Sequence, residues 1–197
     1  MAYIFQTITN KGKAANIQPN ISSDARSWYR TAAQNISSVS APRLMTDKKN
    51  IVGSITVQDI GKMYMFFYDP KTKNQLPYYD KFPLVFPIGF KEGGFLGINL
   101  HYLPPVLRAK LMDALYSTAS NNKYNDQTKL RITYETLNGA SRFKYFAPCL
   151  KHYLWDHVQG SFLNVEVQNW DTALMLPTER FAKANKDKVW KDSQNKV

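Results

Sequence analysis

Residues 62–105 read KMYMFFYDPKTKNQLPYYDKFPLVFPIGFKEGGFLGINLHYLPP. Eleven of these positions are phenylalanine or tyrosine, and prolines or paired glycines repeatedly interrupt the apolar runs. Aromatic runs separated by such turn-forming residues are typical of short strands joined by tight turns. Because the stretch contains no recognisable catalytic motif, it predicts a compact β-module that packs or binds.

The turn signals divide this module into strands. Residues 62–68 are predicted to form a strand, and residues 69–77 a loop, because proline, aspartate and asparagine favour turns. A second strand covers residues 82–88, where Pro83 and Pro87 cannot donate ladder hydrogen bonds, so it should lie at an edge or contain a bulge. Glu92-Gly93-Gly94 predicts a hairpin turn before another strand. These strands favour a small twisted antiparallel sheet, either bent or closed as an SH3-like β-barrel.

Helices are predicted on both sides of the module. Ser22, Ser23 and Asp24 can cap a helix that carries Trp28, and Pro104-Pro105 can open another. The remaining predictions are helices over residues 147–159 and 186–192, strands over 162–167 and 172–176, a charged linker over 43–53, and an element of either type over 129–137.

The predicted fold class is therefore α+β, a twisted antiparallel β-barrel or bent sheet with about three packed helices and extended termini. Residues 1–21 form an N-terminal arm, since Pro19 argues against a helix there. Residues 22–181 form a single domain with its β-module at about 54–103, and residues 182–197 form a C-terminal tail with a short helix.

The charge balance favours a polyanionic partner. The chain carries 26 lysines and arginines against 15 acidic residues, a formal charge of +11 that is spread along the sequence. Such a field suits nucleic acid or an acidic protein surface, although basic proteins also carry charge for solubility alone. Cys149 is the only cysteine, which fits a reducing compartment such as the cytoplasm. No apolar run approaches the roughly 18 residues of a membrane span, so no membrane partner is expected.

The sequence offers little to build a reaction centre. Asp69 and Asp80 flank the loop that carries Lys71, Lys73 and Lys81, and two carboxylates beside lysine could hold a cation as in metal-dependent nucleases. The same aspartates also fit turn chemistry. The histidines lack the spacing of a metal-binding pair on one helix face, so no metal and no cofactor are expected.

Interleaved basic and aromatic residues are the strongest functional signal. The candidate DNA-binding residues are Lys71, Lys73, Lys81, Arg142, Lys144 and Lys151. Lysine and arginine neutralise phosphates while exposed aromatic rings can stack on bases. If these residues bind DNA, they should form one continuous surface. Trp28 and Trp190 are candidate anchors for assembly with other subunits.

Five motifs resemble a known family. They are GKMYMFFYDPKTKNQLPYYDKFPLVFPI at 61–88, GGFLGINLHYLPP at 93–105, SRFKYFAPCLKHYL at 141–154, NWDTALMLPTERF at 169–181 and VWKDS at 189–193. The pattern resembles small structural proteins of large contractile-tailed phages, most of all those described as DNA end protectors with a head-completion function. The resemblance implies a virion protein, assembled in the host cytoplasm, that binds the ends of packaged duplex DNA and shields them from exonucleases.

Three functions remain open at this point. The first is a non-enzymatic virion protein that binds DNA ends and completes the head–neck assembly. The second is a purely architectural protein of the neck, tail or baseplate, whose partners are other virion proteins. The third is a metal-dependent nuclease that uses Asp69 and Asp80.

Overall fold

The computed structural model describes residues 4–19, 22–119 and 146–195. Its α-helices are α1 (Ile4–Ala14), α2 (Ser23–Gln34), α3 (Ala41–Leu44), α4 (Pro105–Ala119), α5 (Trp170–Met175) and α6 (Lys186–Asn195). Its strands are β1 (Ile51–Val52), β2 (Met63–Tyr68), β3 (Tyr79–Asp80), β4 (Leu84–Lys91), β5 (Gly94–Asn99), β6 (Leu150–Leu154), β7 (Val158–Val165) and β8 (Phe181–Ala182). The class is α+β, as predicted, with six helices in these ranges rather than about three.

The main sheet is antiparallel and open. Its strand order is β1-β7-β2-β4-β5-β6, and β3 pairs with β8 in a separate two-stranded sheet. Within the described ranges β1 and β6 are edges, so the bent sheet is the form adopted and the predicted SH3-like barrel is wrong. The strand with Pro87, β4, lies inside the sheet and not at an edge. Its register with β5 shifts between Pro87 and Gly89, so of the two predicted alternatives the bulge is confirmed.

Both faces of the sheet are apolar. In β2, Met63 and Met65 point to the face covered by helices, whereas Tyr64 and Phe66 point to the opposite face because successive side chains alternate. The helix-covered face forms the larger core. The opposite face carries an aromatic cluster made of Tyr64, Phe66, Tyr68, Phe95, Tyr153 and Phe162 with Ile55 and Val85.

The N-terminal segment is helical, so the prediction of an extended arm is wrong. Phe5 and Ile8 of α1 are buried in the larger core. Their spacing places both on one helix face. Pro19 lies beyond the end of α1 and therefore does not interrupt it.

Three further predictions are corrected. Residues 147–159, predicted to be a helix, form β6 and the beginning of β7, with short 3₁₀ turns on either side of β6. They form a strand because the backbone of β5 supplies hydrogen-bond partners along β6. Residues 172–176 belong to α5 and its end, since a continuous buried apolar run suits a buried helix as well as a strand. The linker at 43–53 contains the end of α3 and β1.

Several predicted helix signals are confirmed. The Ser22 hydroxyl accepts a hydrogen bond from the Ala25 N–H at 3.1 Å, which caps α2. Helix α4 begins at Pro105, and α6 covers the predicted C-terminal helix. The element predicted over 129–137 lies outside the described residues. No helix in the described ranges is both long and apolar enough to cross a membrane.

Candidate nucleic-acid interface

The loop between β2 and β3 is exposed and held by lysines. Lys73 pairs with Asp69 at 2.7 Å between Nζ and Oδ2. The ammonium of Lys183, from the segment after β8, donates to the carbonyl oxygens of Lys73, Asn74 and Leu76 at 2.5, 3.3 and 3.0 Å. The C-terminal segment therefore fixes the shape of this loop.

A cleft of about 270 Å³ separates this loop from β6 and is called the loop cleft below. Lys71 lines it from the loop, while Lys151 and His152 line it from β6. The ammonium of Lys151 lies 3.9 Å from the centroid of the Tyr102 ring, in cation–π geometry. The structure thus brings together two of the predicted DNA-binding lysines, which lie 80 residues apart in sequence.

Tyrosines line the inner part of the loop cleft. They are Tyr68, Tyr78, Tyr79, Tyr102 and Tyr153. The hydroxyl of Tyr68 accepts a hydrogen bond from the Leu154 N–H at 3.1 Å. Burial raises the pKa of Tyr68, so the hydroxyl keeps its proton. That proton is suited to a phosphate or base acceptor.

A second cleft of about 390 Å³ adjoins the first, since Tyr68 lines both. Lys81, Asp69 and Arg180 contribute to its walls. Arg180 is anchored by hydrogen bonds from its guanidinium to the carbonyl oxygens of Val39, Pro177 and Glu179 at 2.5, 3.2 and 2.8 Å. This cleft places Lys81 beside the loop cleft and adds one cation that the sequence did not single out.

The C-terminal segment completes the charged surface. The ladder between β3 and β8 joins residues 69–81 to residues 180–192, and these two segments hold eight lysines and arginines against four aspartates. We call the surface formed by both segments and Lys151 the basic face. Its C-terminal half was missed because residues 182–197 were predicted to form a tail outside the domain, although Val189 is fully buried in the core.

The remaining predicted residues divide into three groups. Lys73 lies on the basic face but is paired with Asp69. Arg142 and Lys144 lie outside the described residues. Trp28 meets Tyr29 edge-on at 5.0 Å, and the Trp190 indole donates to the His101 carbonyl at 2.8 Å, so both half-buried rings have contacts within the chain. Their role as assembly anchors stays a prediction.

A buried polar network lies behind the loop cleft. Asp80 Oδ2 contacts His101 Nδ1 at 2.7 Å, and His101 Nε2 contacts Thr178 Oγ1 at 3.0 Å. This acid–histidine–hydroxyl order resembles a hydrolase triad, but His101 and Thr178 are fully buried. A substrate must be able to reach a nucleophile, and Thr178 is enclosed. The network instead links residues that lie far apart in the chain.

The two carboxylates of the nuclease hypothesis are engaged within the protein. Asp80 accepts hydrogen bonds from the Phe82 and Arg180 N–H groups and from Asn99 as well as contacting His101. Burial by itself raises the pKa of Asp80, but His101 and these donors together lower it, so the carboxylate is ionised and enclosed. Among the described residues no cluster of three or more histidine, cysteine, aspartate or glutamate side chains is arranged to hold a metal ion.

Comparison with known proteins decides the family. The profile of the family described as Phage T4 terminal DNA protecting protein matches residues 8–194, almost the whole chain. The chain belongs to this family. The resemblance seen in the sequence motifs is thereby confirmed. No curated protein and no solved structure matches the chain.

The family description makes the basic face the candidate site for DNA. DNA is a polyanion, and the basic face places lysines around two adjoining clefts. Lysines placed in this way suit contact with phosphates.

Proposed function

We propose that this protein is a non-enzymatic phage protein that binds the ends of packaged duplex DNA through its basic face and shields them from exonucleases. The proposal rests on one observation in a chain of the terminal DNA protecting family: Lys71 and Lys151 line the same cleft. Their ammonium groups can neutralise neighbouring phosphates and release counterions.

We further propose that the protein is part of the virion and completes the head–neck assembly. This follows from the resemblance to head-completion proteins of contractile-tailed phages and is independent of the geometry of the clefts. A purely architectural role in the neck, tail or baseplate is the competing hypothesis. It predicts that the charge serves contacts with other virion proteins, and that DNA binding is weak and disappears near physiological salt.

The test is binding to a blunt linear duplex and to a closed circle of equal length over a salt series. End binding predicts tighter binding to the linear form that persists at physiological salt. Neutralising Lys71→Gln and Lys151→Gln together should reduce the slope of log affinity against log salt by about one for each phosphate that no longer meets a lysine. Equal binding to both DNA forms would overturn the proposal.

Lys48→Gln is the matched control. Lys48 is exposed and precedes β1, at the opposite edge of the sheet from β6. Five strand spacings separate these edges, roughly 24 Å. Lys48→Gln removes one charge, as each of the single variants Lys71→Gln and Lys151→Gln does, so these two are measured beside the double variant. An effect of net charge alone would appear equally in all three single variants.

A further inference from the structure

Lysines on the basic face explain affinity for DNA but not preference for its ends. Internal phosphodiesters are the same near an end, in the middle of a duplex and in a closed circle, so counterion release contributes to binding of all three. Besides its terminal 5′ and 3′ groups, an end presents the flat face of its last base pair, because every internal pair is stacked on both sides. A surface that stacks on this face gives a preference for ends that does not depend on the terminal groups.

Two rings of the aromatic cluster, Tyr153 and Phe95, continue outward through Trp155 and Phe90 as a column of four rings. The ring centroids of Tyr153 and Phe95 lie 5.3 Å apart, and their planes are inclined by 27°. The centroids of Phe95 and Trp155 lie 5.0 Å apart with planes inclined by 34°. The centroids of Trp155 and Phe90 lie 5.9 Å apart with planes inclined by 29°. Each ring plane is thus inclined by 34° or less to the next, with two pairs stacked and the Phe95–Trp155 pair tilted, whereas most other ring pairs of the cluster meet edge-on.

The column runs from the core to the surface. Phe95 is fully buried and Tyr153 is 3% exposed, whereas Phe90 at the outer end is 39% exposed. Phe90 stands near the tip of the β4–β5 hairpin, directly opposite Phe95. Among the described residues no second ring stacks on Phe90 besides Trp155. A column of this kind can accept one more flat aromatic surface at its open end.

The open end of the column lies near the basic face. Phe90 pairs with Phe95, which pairs with Tyr153, and Lys151 lies two residues before Tyr153 on the same strand. Two strand spacings and two residues correspond to roughly 12 Å between Phe90 and Lys151. This distance spans the first few base pairs of a duplex, at about 3.4 Å each. Lys91 and Glu92 in the turn carry opposite charges, whereas Lys71 and Lys151 line the loop cleft together.

We propose that Phe90, supported by Trp155, stacks on the terminal base pair of a blunt DNA duplex while the loop-cleft lysines hold the adjoining phosphates. The inference rests on the proposed function and adds the source of end preference. A terminal base pair suits this site better than an apolar protein segment, because the chain carries +11 and Tyr153, at the inner end of the ring column, also lines the loop cleft.

The experiment compares Phe90→Leu with Phe90→Tyr. Leucine keeps an apolar side chain but lacks a flat ring, and tyrosine keeps the ring. Loss of one stacked base weakens binding by about 5- to 150-fold. Phe90→Leu should therefore lose most of its affinity for the blunt linear duplex and bind the closed circle as the wild type does, whereas Phe90→Tyr should keep the end preference. Val106→Ala, at a residue 67% exposed on α4, controls for the loss of an exposed apolar side chain.

A fluorescent base analogue gives a second readout. 2-Aminopurine in the last base pair should be quenched by the wild type and by Phe90→Tyr but not by Phe90→Leu, while the same analogue at an internal position should not respond. End preference unchanged in Phe90→Leu would overturn this inference and leave the proposed function standing. Tighter binding to single-stranded overhangs than to blunt ends would also overturn it. Absence of end preference in the wild type would remove the proposed function itself.

Discussion

Arg108 is the side chain on which the attachment of the C-terminal segment most depends. It lies on α4 and is fully buried. Its Nε donates to the Leu103 carbonyl at 2.7 Å and its Nη1 to the Leu174 carbonyl at 2.8 Å. Its Nη2 donates to Glu179 Oε1 at 2.5 Å, and the guanidinium lies 5.6 Å from the centroid of the Trp190 ring. One guanidinium thus joins α4, the end of α5 and the segment that carries half of the basic face.

Replacing this side chain should be costly. Arg108→Met keeps most of the volume but leaves the Glu179 carboxylate, which is 8% exposed, without its cation. Removing one partner of a buried ion pair costs about 3–5 kcal/mol, because the remaining charge stays enclosed. For a chain of this size that corresponds to a fall in the unfolding temperature of about 6–20 °C. The double variant Arg108→Met/Glu179→Met leaves no orphaned charge and should recover part of the loss.

Urea unfolding followed by tryptophan fluorescence measures this change, with midpoint and slope fitted together. Lys110→Met is the matched control, because it changes an exposed cation on the same helix. Its stability should stay within about 0.5 kcal/mol of the wild type. A loss below about 1 kcal/mol in Arg108→Met, or a double variant no more stable than the single one, would refute the reasoning.

Three further outcomes are expected. Burial alone raises the pKa of Glu179, but its interactions with neighbouring groups lower this pKa overall in the folded protein. Glu179 therefore contributes its full stabilisation above its pKa in the unfolded chain, about 4.3, and this stabilisation is lost as the pH falls through its lower pKa in the folded protein. Urea midpoints at pH 7 and pH 3 should therefore differ less in Glu179→Gln than in the wild type. In Gly94→Ala the new Cβ would lie 1.9 Å from a backbone carbonyl oxygen of β6, so we expect the free energy of unfolding to fall by at least about 2 kcal/mol. In Gly53→Ala the new Cβ meets nothing within 4 Å, so the free energy of unfolding should change by less than about 0.5 kcal/mol. Thermal unfolding of both variants measures the difference. Lys183→Ala should speed limited trypsin cleavage in the β2–β3 loop, because three loop carbonyls lose their donor, and Lys191→Ala, an exposed control in α6, should not.

Local signals in the sequence identified the elements whose partners are near in the chain. The Glu92-Gly93-Gly94 turn, the Ser22 cap and the start of α4 at Pro105 are all set by neighbouring residues. Pro83 and Pro87 correctly indicated a bulge in this part of the chain, since the register of β4 shifts after Pro87. They could not place the strand in the sheet, because position depends on β2 and β5 pairing on either side.

The candidate site depends on contacts that no local pattern contains. Lys71 and Lys151 were each recognised as basic residues beside aromatic ones, but only the placement of β6 at the sheet edge puts them across one cleft. The C-terminal lysines join them because the Trp190 indole and the β3–β8 ladder hold the tail. Phe90 was one aromatic among many in the sequence, and its open ring face becomes visible only once Trp155 stacks behind it.

Protection from exonucleases tests the central claim most directly. A blunt linear duplex, saturated with the protein at physiological salt, is exposed to a 5′→3′ and separately to a 3′→5′ exonuclease, and the intact DNA is measured over time. We expect the wild type and Lys48→Gln to preserve the full-length duplex against both enzymes, and Lys71→Gln/Lys151→Gln to leave it open to degradation. Degradation at the same rate with and without the folded wild-type protein would contradict it.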